Sequence, residues 1–195
     1  LYFVEKGANQ RPGRVIYDRE YSSVSLTSGS DYDWEDIFAD AGGLHTTGIT
    51  PALSKISAEA TLKAVMEAKN AGLTVSCDLN FRKKLWQWEK GTAANELAQK
   101  TMVDILPYVD VVIANEEDAA DVLGIEAENT NVYQGKLDAT RYIEVAKKIV
   151  KQFPNVSKVA ITLRESYSAT HNNWGAMLYE ADGARSHFAP MTEGE

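Results

Sequence analysis

The chain has 195 residues, of which 44% are hydrophobic, so it is long enough for one domain with a sizeable core or for one domain with a small appendage. Its 28 acidic residues outnumber its 20 basic ones, which argues against a general nucleic-acid binder, because such proteins hold phosphate backbones with clustered Lys and Arg. The single cysteine, Cys77, excludes an intramolecular disulfide, and no apolar run approaches the roughly 18 residues of a membrane span, so we expect a cytoplasmic protein without membrane contacts.

Strand-like runs and amphipathic stretches alternate along the chain. The predicted strands are residues 1–4, 14–17, 74–79, 110–114, 158–163 and 186–190, with a further short apolar stretch at 44–49. The predicted helices are residues 58–70 with Ser57 as N-cap, 93–106, 116–123 and 140–153. Short strands separated by helices favour parallel pairing through right-handed crossovers. We therefore predict an α/β fold, a layered parallel sheet with helices on both faces.

Both ends of the chain lie close to strand-like runs. Residues 1–4 (LYFV) begin without an initiator Met, and residues 186–190 (SHFAP) are followed by only a short polar stretch. We therefore expect a fragment of a longer protein. Residues 1–30 are predicted to form part of a small β lid, and residues 31–195 an α/β core.

Polar side chains follow the predicted parallel strands, at the edge where ligands bind in open α/β sheets. Four such strand ends are expected, at residues 45–50, 78–82, 115–118 and 162–165. Any one of them could be an ordinary polar turn or helix cap. Arg82 follows a central strand, where its guanidinium could hold a carboxylate or phosphate with two parallel hydrogen bonds. Asp78 and Asn80 would either cap the loop or form a polar shelf under that anion, whereas Lys83 and Lys84 are expected to be solvated.

Three segments resemble the ribokinase-like sugar kinases of the phosphofructokinase B type. They are residues 78–82 (DLNFR), 114–118 (ANEED) and 47–49 (TGI). Within that family, residues 77–86 and 162–169 are most similar to the kinases of 2-keto-3-deoxygluconate. The resemblance implies a ribokinase-like fold and ATP-dependent phosphorylation of this sugar acid to its 6-phosphate. It also implies ATP and Mg²⁺ as cofactors and a homodimer formed through the β lid. It does not separate the gluconate from the galactonate epimer.

The resemblance also implies roles for individual residues. Sugar-acid binding falls to Tyr2, Tyr17, Arg19 and Arg82, magnesium binding through water to Asn115 and Asp118, and contact with the nucleotide phosphates to Thr162 and Arg164. The family has Glu where this chain has Asp118, and the shorter carboxylate can still act through water. Other interpretations stay open: the tyrosines and Thr162 could pack within strands, and Arg19 could pair with Asp18 or Glu20 on the surface.

The Gly-Ala-Gly-Asp segment of the family, which supplies an anion hole and the catalytic Asp, has no counterpart in this sequence. We therefore expect no catalytic residue in the chain as given, and no activity from the chain alone. Two alternatives remain: a non-catalytic module that binds a sugar acid or a nucleotide on the same fold, and a kinase for another sugar. A metal enzyme is disfavoured, because the three histidines, His45, His171 and His187, are scattered without ligand spacing.

Overall fold

The computed structural model describes residues 1–8, 11–125, 139–166 and 171–194. The strands are β1 (Tyr2–Glu5), β2 (Arg14–Tyr17), β3 (Gly43–Thr47), β4 (Thr74–Asp78), β5 (Val111–Asn115), β6 (Lys158–Ser166), β7 (Asn172–Glu180) and β8 (Arg185–Gly194). The α-helices are α1 (Ser23–Leu26), α2 (Trp34–Phe38), α3 (Ile49–Ala52), α4 (Lys55–Asn70), α5 (Ala94–Ile105), α6 (Glu116–Leu123) and α7 (Ala139–Gln152). Short 3₁₀ turns occupy Gly29–Asp31, Leu106–Tyr108 and Asp182–Ala184.

The main sheet is mixed. Its strands follow the order β3-β4-β5-β6-β7-β8; the first four are parallel, and β7 and β8 are added antiparallel. The predicted α/β sheet with parallel strands and connecting helices is therefore confirmed, whereas β7 was not predicted. The prediction of a strand end at residues 162–165 is wrong, because these residues lie inside β6 and pair with β7, where Thr162 is opposite Ala176 and Arg164 is opposite Trp174.

The two faces of the sheet differ in burial. Val75, Cys77 and Val112 point to one face and are fully buried, as alternation along a strand requires. The opposite face keeps His45 and Thr162 exposed. The fully buried residues therefore place the main core on the first of these two faces. Cys77, inside the buried layer, is a free thiol.

The strands β1 and β2 form a separate antiparallel ribbon, which we call the β ribbon. Tyr2 is opposite Tyr17, and Glu5 is opposite Arg14. All four residues of β1 are exposed. This ribbon comes before the core in the chain. Strand β2 has the predicted bounds, and β1 is shifted by one residue from the predicted 1–4. The division into lid and core stays a prediction.

Helix α4 begins earlier than predicted. The N-cap is Ser54, whose hydroxyl accepts a hydrogen bond from the Ser57 N–H at 3.0 Å, and the Ser57 hydroxyl accepts one from the Ser54 N–H at 3.0 Å. The prediction of Ser57 as the N-cap is therefore wrong: it is the third helical residue and the other half of a reciprocal capping pair. Among the described residues, no helix combines the length and the apolar character needed to cross a membrane.

Candidate functional site

The ends of β3 and β4 approach each other closely at Gly48. The Gly48 N–H donates to the Asp78 carbonyl at 2.8 Å, and the Leu79 N–H donates to the Ile113 carbonyl at 2.9 Å. A Cβ at position 48 would clash with the Leu79 carbonyl oxygen. Glycine is needed there because the backbone of the β4 exit occupies the space of a side chain. The polar ends of these neighbouring strands are thereby held together.

Asp118 ties the loop after β4 to the start of α6. It is only 5% exposed. One carboxylate oxygen accepts the Phe81 N–H at 2.9 Å, and the other accepts the Asn115 N–H at 3.3 Å. In return, the Asn115 side-chain oxygen accepts the Asp118 N–H at 2.7 Å, which completes a capping pair for α6. The predicted magnesium residues thus have a structural role as well, because they fix the backbone next to Arg82.

Two carboxylates and one guanidinium interact across this strand end. Burial raises the pKa of Asp118, and the charge of Asp78 raises it further, whereas backbone hydrogen bonds and Arg82 lower it. Burial also raises the pKa of Asp78, against the lowering effects of the Asn80 N–H, His45 and Arg82. Each carboxylate would therefore gain from a nearby cation.

The guanidinium of Arg82 is exposed and donates to the Phe81 carbonyl at 2.8 Å. In the described part of the chain no carboxylate comes within salt-bridge distance of it. The preceding turn is set by Asn80, whose φ of 38° is left-handed and whose side-chain amide donates to the Thr47 hydroxyl at 3.4 Å. Asparagine tolerates that conformation better than most residues. Arg82 is therefore positioned at the strand end, with N–H groups left for an external anion.

Arg19 lies between two tyrosine rings of the β ribbon. Its guanidinium carbon is 5.8 Å from the centre of the Tyr2 ring and 5.3 Å from the centre of the Tyr17 ring. Such cation–π contacts hold a guanidinium without neutralising it. The alternative surface ion pair with Asp18 or Glu20 is not formed among the described residues. The structure therefore brings together three of the four residues predicted to bind the sugar acid.

A cavity of about 600 Å³ lies between the β ribbon and the segments around α4 and the loop after β4. Tyr17 and Arg19 line it from the ribbon, Ser54 from the start of α4, and Lys84 and Trp88 from the loop after β4. Lys84 is exposed, as expected, and it also donates to the Val15 carbonyl at 3.3 Å. Sequence reasoning missed it because the contact joins segments 69 residues apart. The lining does not include Tyr2 or Arg82.

Thr162 and Arg164 point to the exposed face of β6. Thr162 is opposite Asn115 in the parallel pair, so it lies beside the α6 cap. Arg164 donates twice to the Asn172 side-chain oxygen, at 3.0 and 2.8 Å, and its guanidinium carbon lies 5.1 Å from the centre of the Trp174 ring. Asn172 and Trp174 belong to the unpredicted strand β7, so sequence reasoning offered no signal for them.

The described residues contain no group of three or more His, Cys, Asp or Glu side chains able to hold a metal ion. Asp78 and Asp118 with Asn115 fit a hydrated magnesium ion, which usually keeps several waters and needs only one or two carboxylates. The repulsion between the two carboxylates supports that fit.

Comparison with known proteins gives a consistent set of similarities. The profile of the pfkB family of carbohydrate kinases matches residues 1–165. A 2-dehydro-3-deoxygalactonokinase from Haloferax volcanii is 39% identical over 127 residues, which are 65% of this chain and 37% of that protein. The crystal structure of a 2-dehydro-3-deoxygluconokinase from Thermotoga maritima is 42% identical with a TM-score of 0.85, covering 98% of this chain and 53% of that one.

More distant structures share the fold. An E. coli protein described as ribokinase II, solved in complex with ATP and Mg²⁺, is 17% identical with a TM-score of 0.63, covering 94% of this chain and 48% of that one. At this identity the likeness concerns the fold alone. The chain thus spans about half the length of these solved structures, 53% and 48% of them.

Proposed function

We propose that this chain, which belongs to the pfkB family of carbohydrate kinases, is the part of an ATP-dependent kinase that recognises a sugar acid. The substrate we propose is 2-keto-3-deoxygluconate, also called 2-dehydro-3-deoxygluconate, or its galactonate epimer, and the product is the 6-phosphate. The names of the similar proteins from H. volcanii and T. maritima support this substrate class and differ in the epimer, so both epimers are candidates.

The observation that carries the proposal is the state of Arg19. It is half-buried and oriented by two aromatic rings, yet it has no carboxylate partner in the described chain. The two rings hold the guanidinium in place while its charge stays uncompensated, so it can still accept an anion. A sugar-acid carboxylate has the charge and the planar pair of oxygens that a guanidinium binds with two hydrogen bonds.

Each proposed substrate residue has a distinct task. Tyr2 and Tyr17 orient the Arg19 guanidinium, which holds the carboxylate at the ribbon side of the cavity. Arg82 binds oxygens of the sugar or of the incoming phosphate at the carboxyl end of β4. Binding at two points fixes the orientation of the sugar, and positioning of the reacting groups is the main contribution a protein makes to phosphoryl transfer.

The phosphate side of the reaction lies at the end of β5 and beside it within β6, where Thr162 is opposite Asn115. ATP with Mg²⁺ would supply the phosphoryl group and neutralise charge as it is transferred. Asn115 and Asp118 would orient the waters around the magnesium ion, and Thr162 and Arg164 would bind the nucleotide phosphates. Asp118 would do so while keeping its hydrogen bond to Phe81, so it would link the phosphate side to the loop that carries Arg82.

The β ribbon is also the proposed contact between two copies of the protein. Phe3, Val4 and Ile16 expose 58%, 57% and 49% of their surface. Apolar side chains exposed together on a two-stranded ribbon favour burial against a partner. We propose that the β ribbon is the lid over the sugar site and that two copies of the protein form a homodimer through it. A cytoplasmic location would suit the free thiol of Cys77.

The test is the release of ADP by the purified full-length protein. We expect turnover with 2-keto-3-deoxygluconate or its galactonate epimer, and at least tenfold lower kcat/KM with ribose or fructose, because a site built to pair a charge discriminates strongly against substrates that lack it. Binding of the sugar acid in calorimetry without ADP release would instead favour the non-catalytic binding module. Preference for a neutral sugar would reject the sugar-acid substrate.

A further inference from the structure

Arg164 differs in how it is held from Arg185, which also lies in the main sheet. Arg185 pairs with the Glu180 carboxylate at 3.2 Å, so its charge is compensated. Arg164 donates two hydrogen bonds to the side-chain oxygen of Asn172, which is neutral. No carboxylate lies within salt-bridge distance of Arg164 in the described residues. The guanidinium is therefore fixed in direction while it keeps its full positive charge.

Trp174 restricts the same guanidinium from a second side. The indole ring is the cross-strand partner of Arg164, with the guanidinium carbon 5.1 Å from the ring centre. Asn172 is 8% exposed, so the acceptor is itself held in place, whereas Trp174 remains 45% exposed. An arginine loses much side-chain freedom when it is fixed in this way. That loss has already occurred before any ligand arrives, which favours tight binding of an anion.

Arg164, Asn172 and Trp174 lie at a position on the sheet that is typical of a ligand site. Arg164 follows Thr162 by two residues on the same face of β6, and Thr162 is opposite Asn115, the N-cap of α6. The guanidinium thus lies beyond the carboxyl end of β5, at the edge where ligands bind in α/β sheets. A guanidinium with unused N–H groups at that edge matches the geometry of phosphate oxygens.

We propose that Asn172 and Trp174 are positioning residues that hold Arg164 as a preformed binding site for a phosphate group of the nucleotide. This inference rests on the proposed function, because the nucleotide is the phosphate donor of the kinase reaction. A purely structural role is the competing explanation, since cross-strand pairs of this kind also stabilise sheets.

The key variant is Asn172→Asp in the full-length protein, with Asn173→Asp as the matched control. Both add one negative charge to β7, but only residue 172 faces Arg164. A carboxylate at 172 would strengthen the hydrogen bonds to the guanidinium and neutralise it. We therefore expect Asn172→Asp to lower the affinity for inorganic tripolyphosphate about tenfold or more, as loss of a charged hydrogen bond does, with an unchanged or higher thermal midpoint. Asn173→Asp should have a clearly smaller effect.

Two further variants separate positioning from stability. Arg164→Ala should lower tripolyphosphate affinity at least as much as Asn172→Asp. Trp174→Leu should lower it, and Trp174→Phe should retain most of it, because phenylalanine keeps an aromatic face for the cation. In the kinase assay the same variants should raise KM for ATP and leave KM for the sugar acid unchanged.

The possible failures are distinguishable. If wild type phosphorylates a sugar acid but Arg164→Ala and Asn172→Asp bind tripolyphosphate as wild type does, the positioning role is wrong and the kinase proposal stands. Equal losses for Asn172→Asp and Asn173→Asp would also overturn the positioning role. If wild type turns over no ATP but tripolyphosphate binding follows Arg164 and Asn172 as expected, the kinase proposal fails and the anion site stands.

Discussion

Replacing Asp118 by alanine is expected to disturb both stability and sugar binding. The substitution removes the acceptor of the Phe81 and Asn115 N–H groups at a site that is 5% exposed. Leaving one buried donor unsatisfied costs about 1–3 kcal/mol, so two donors cost about 2–6 kcal/mol. Burial raises the pKa of Asp118, which shows that the charged carboxylate is unfavourable there, so removing it offsets part of that cost. We expect a net loss of at least about 1 kcal/mol, which lowers Tm by roughly 2–4 °C in a protein of this size.

The same substitution should loosen the loop that carries Arg82. Phe81 would lose its side-chain anchor, so KM for the sugar acid should rise. The magnesium requirement should rise as well, because Asp118 is also proposed to orient the waters around that ion. The matched control is Asp121→Ala on the same helix, which removes the same charge from a partly exposed position. Thermal unfolding and steady-state kinetics of both variants measure the two effects. If Asp118→Ala and Asp121→Ala have the same Tm and the same KM for the sugar acid, the anchoring role of Asp118 is refuted.

Three other substitutions test separate parts of the site. Arg82→Ala should raise KM for the sugar acid roughly tenfold or more, as loss of a charged hydrogen bond of about 1.5–3 kcal/mol implies, and equal effects on ATP would contradict its assignment to the sugar. Burial raises the pKa of Asp78, so the folded state favours its protonated form. The resulting contribution to folding stability is present below about pH 4 and is lost as the pH rises through the raised pKa. The Tm of wild type should therefore fall relative to that of Asp78→Asn as the pH rises from about 4. Tm curves that stay parallel over the whole pH range would exclude this effect. Gly48→Ala should destabilise the fold by about 1–3 kcal/mol through the clash with Leu79, whereas Gly42→Ala, which has open space, should not; equal denaturation midpoints would reject the close approach.

Some elements could be predicted from the sequence because their signals are local. Helix α6 was predicted with its observed bounds, since Asn115 caps its start and Gly124, with a φ of 65°, ends it. The start of α4 was misplaced because two serines three residues apart could each be the cap. Only the reciprocal hydrogen bonds between Ser54 and Ser57 decide between them.

Other elements depend on contacts between distant segments. Strand β7 contains Asn172, Asn173 and Gly175, which weaken its strand signal, and its pairing with β6 is what holds it in the sheet. The contacts of Arg164 with Asn172 and Trp174 could not be predicted for the same reason, because both residues belong to β7. The hydrogen bond from Lys84 to Val15 likewise joins remote segments, so a sequence pattern could not indicate it.

The comparison that tests the central claim most directly uses two substrates and one substitution. The substrates are 2-keto-3-deoxygluconate and 3-deoxyfructose, in which a hydroxymethyl group replaces the carboxylate, and the quantity is kcat/KM of the full-length protein with each. If Arg19 binds the carboxylate, wild type should prefer the acid by about tenfold or more, and Arg19→Ala should lose most of that preference, because the variant loses the charged hydrogen bonds to the acid alone. An equal preference for the acid in wild type and in Arg19→Ala would contradict the account.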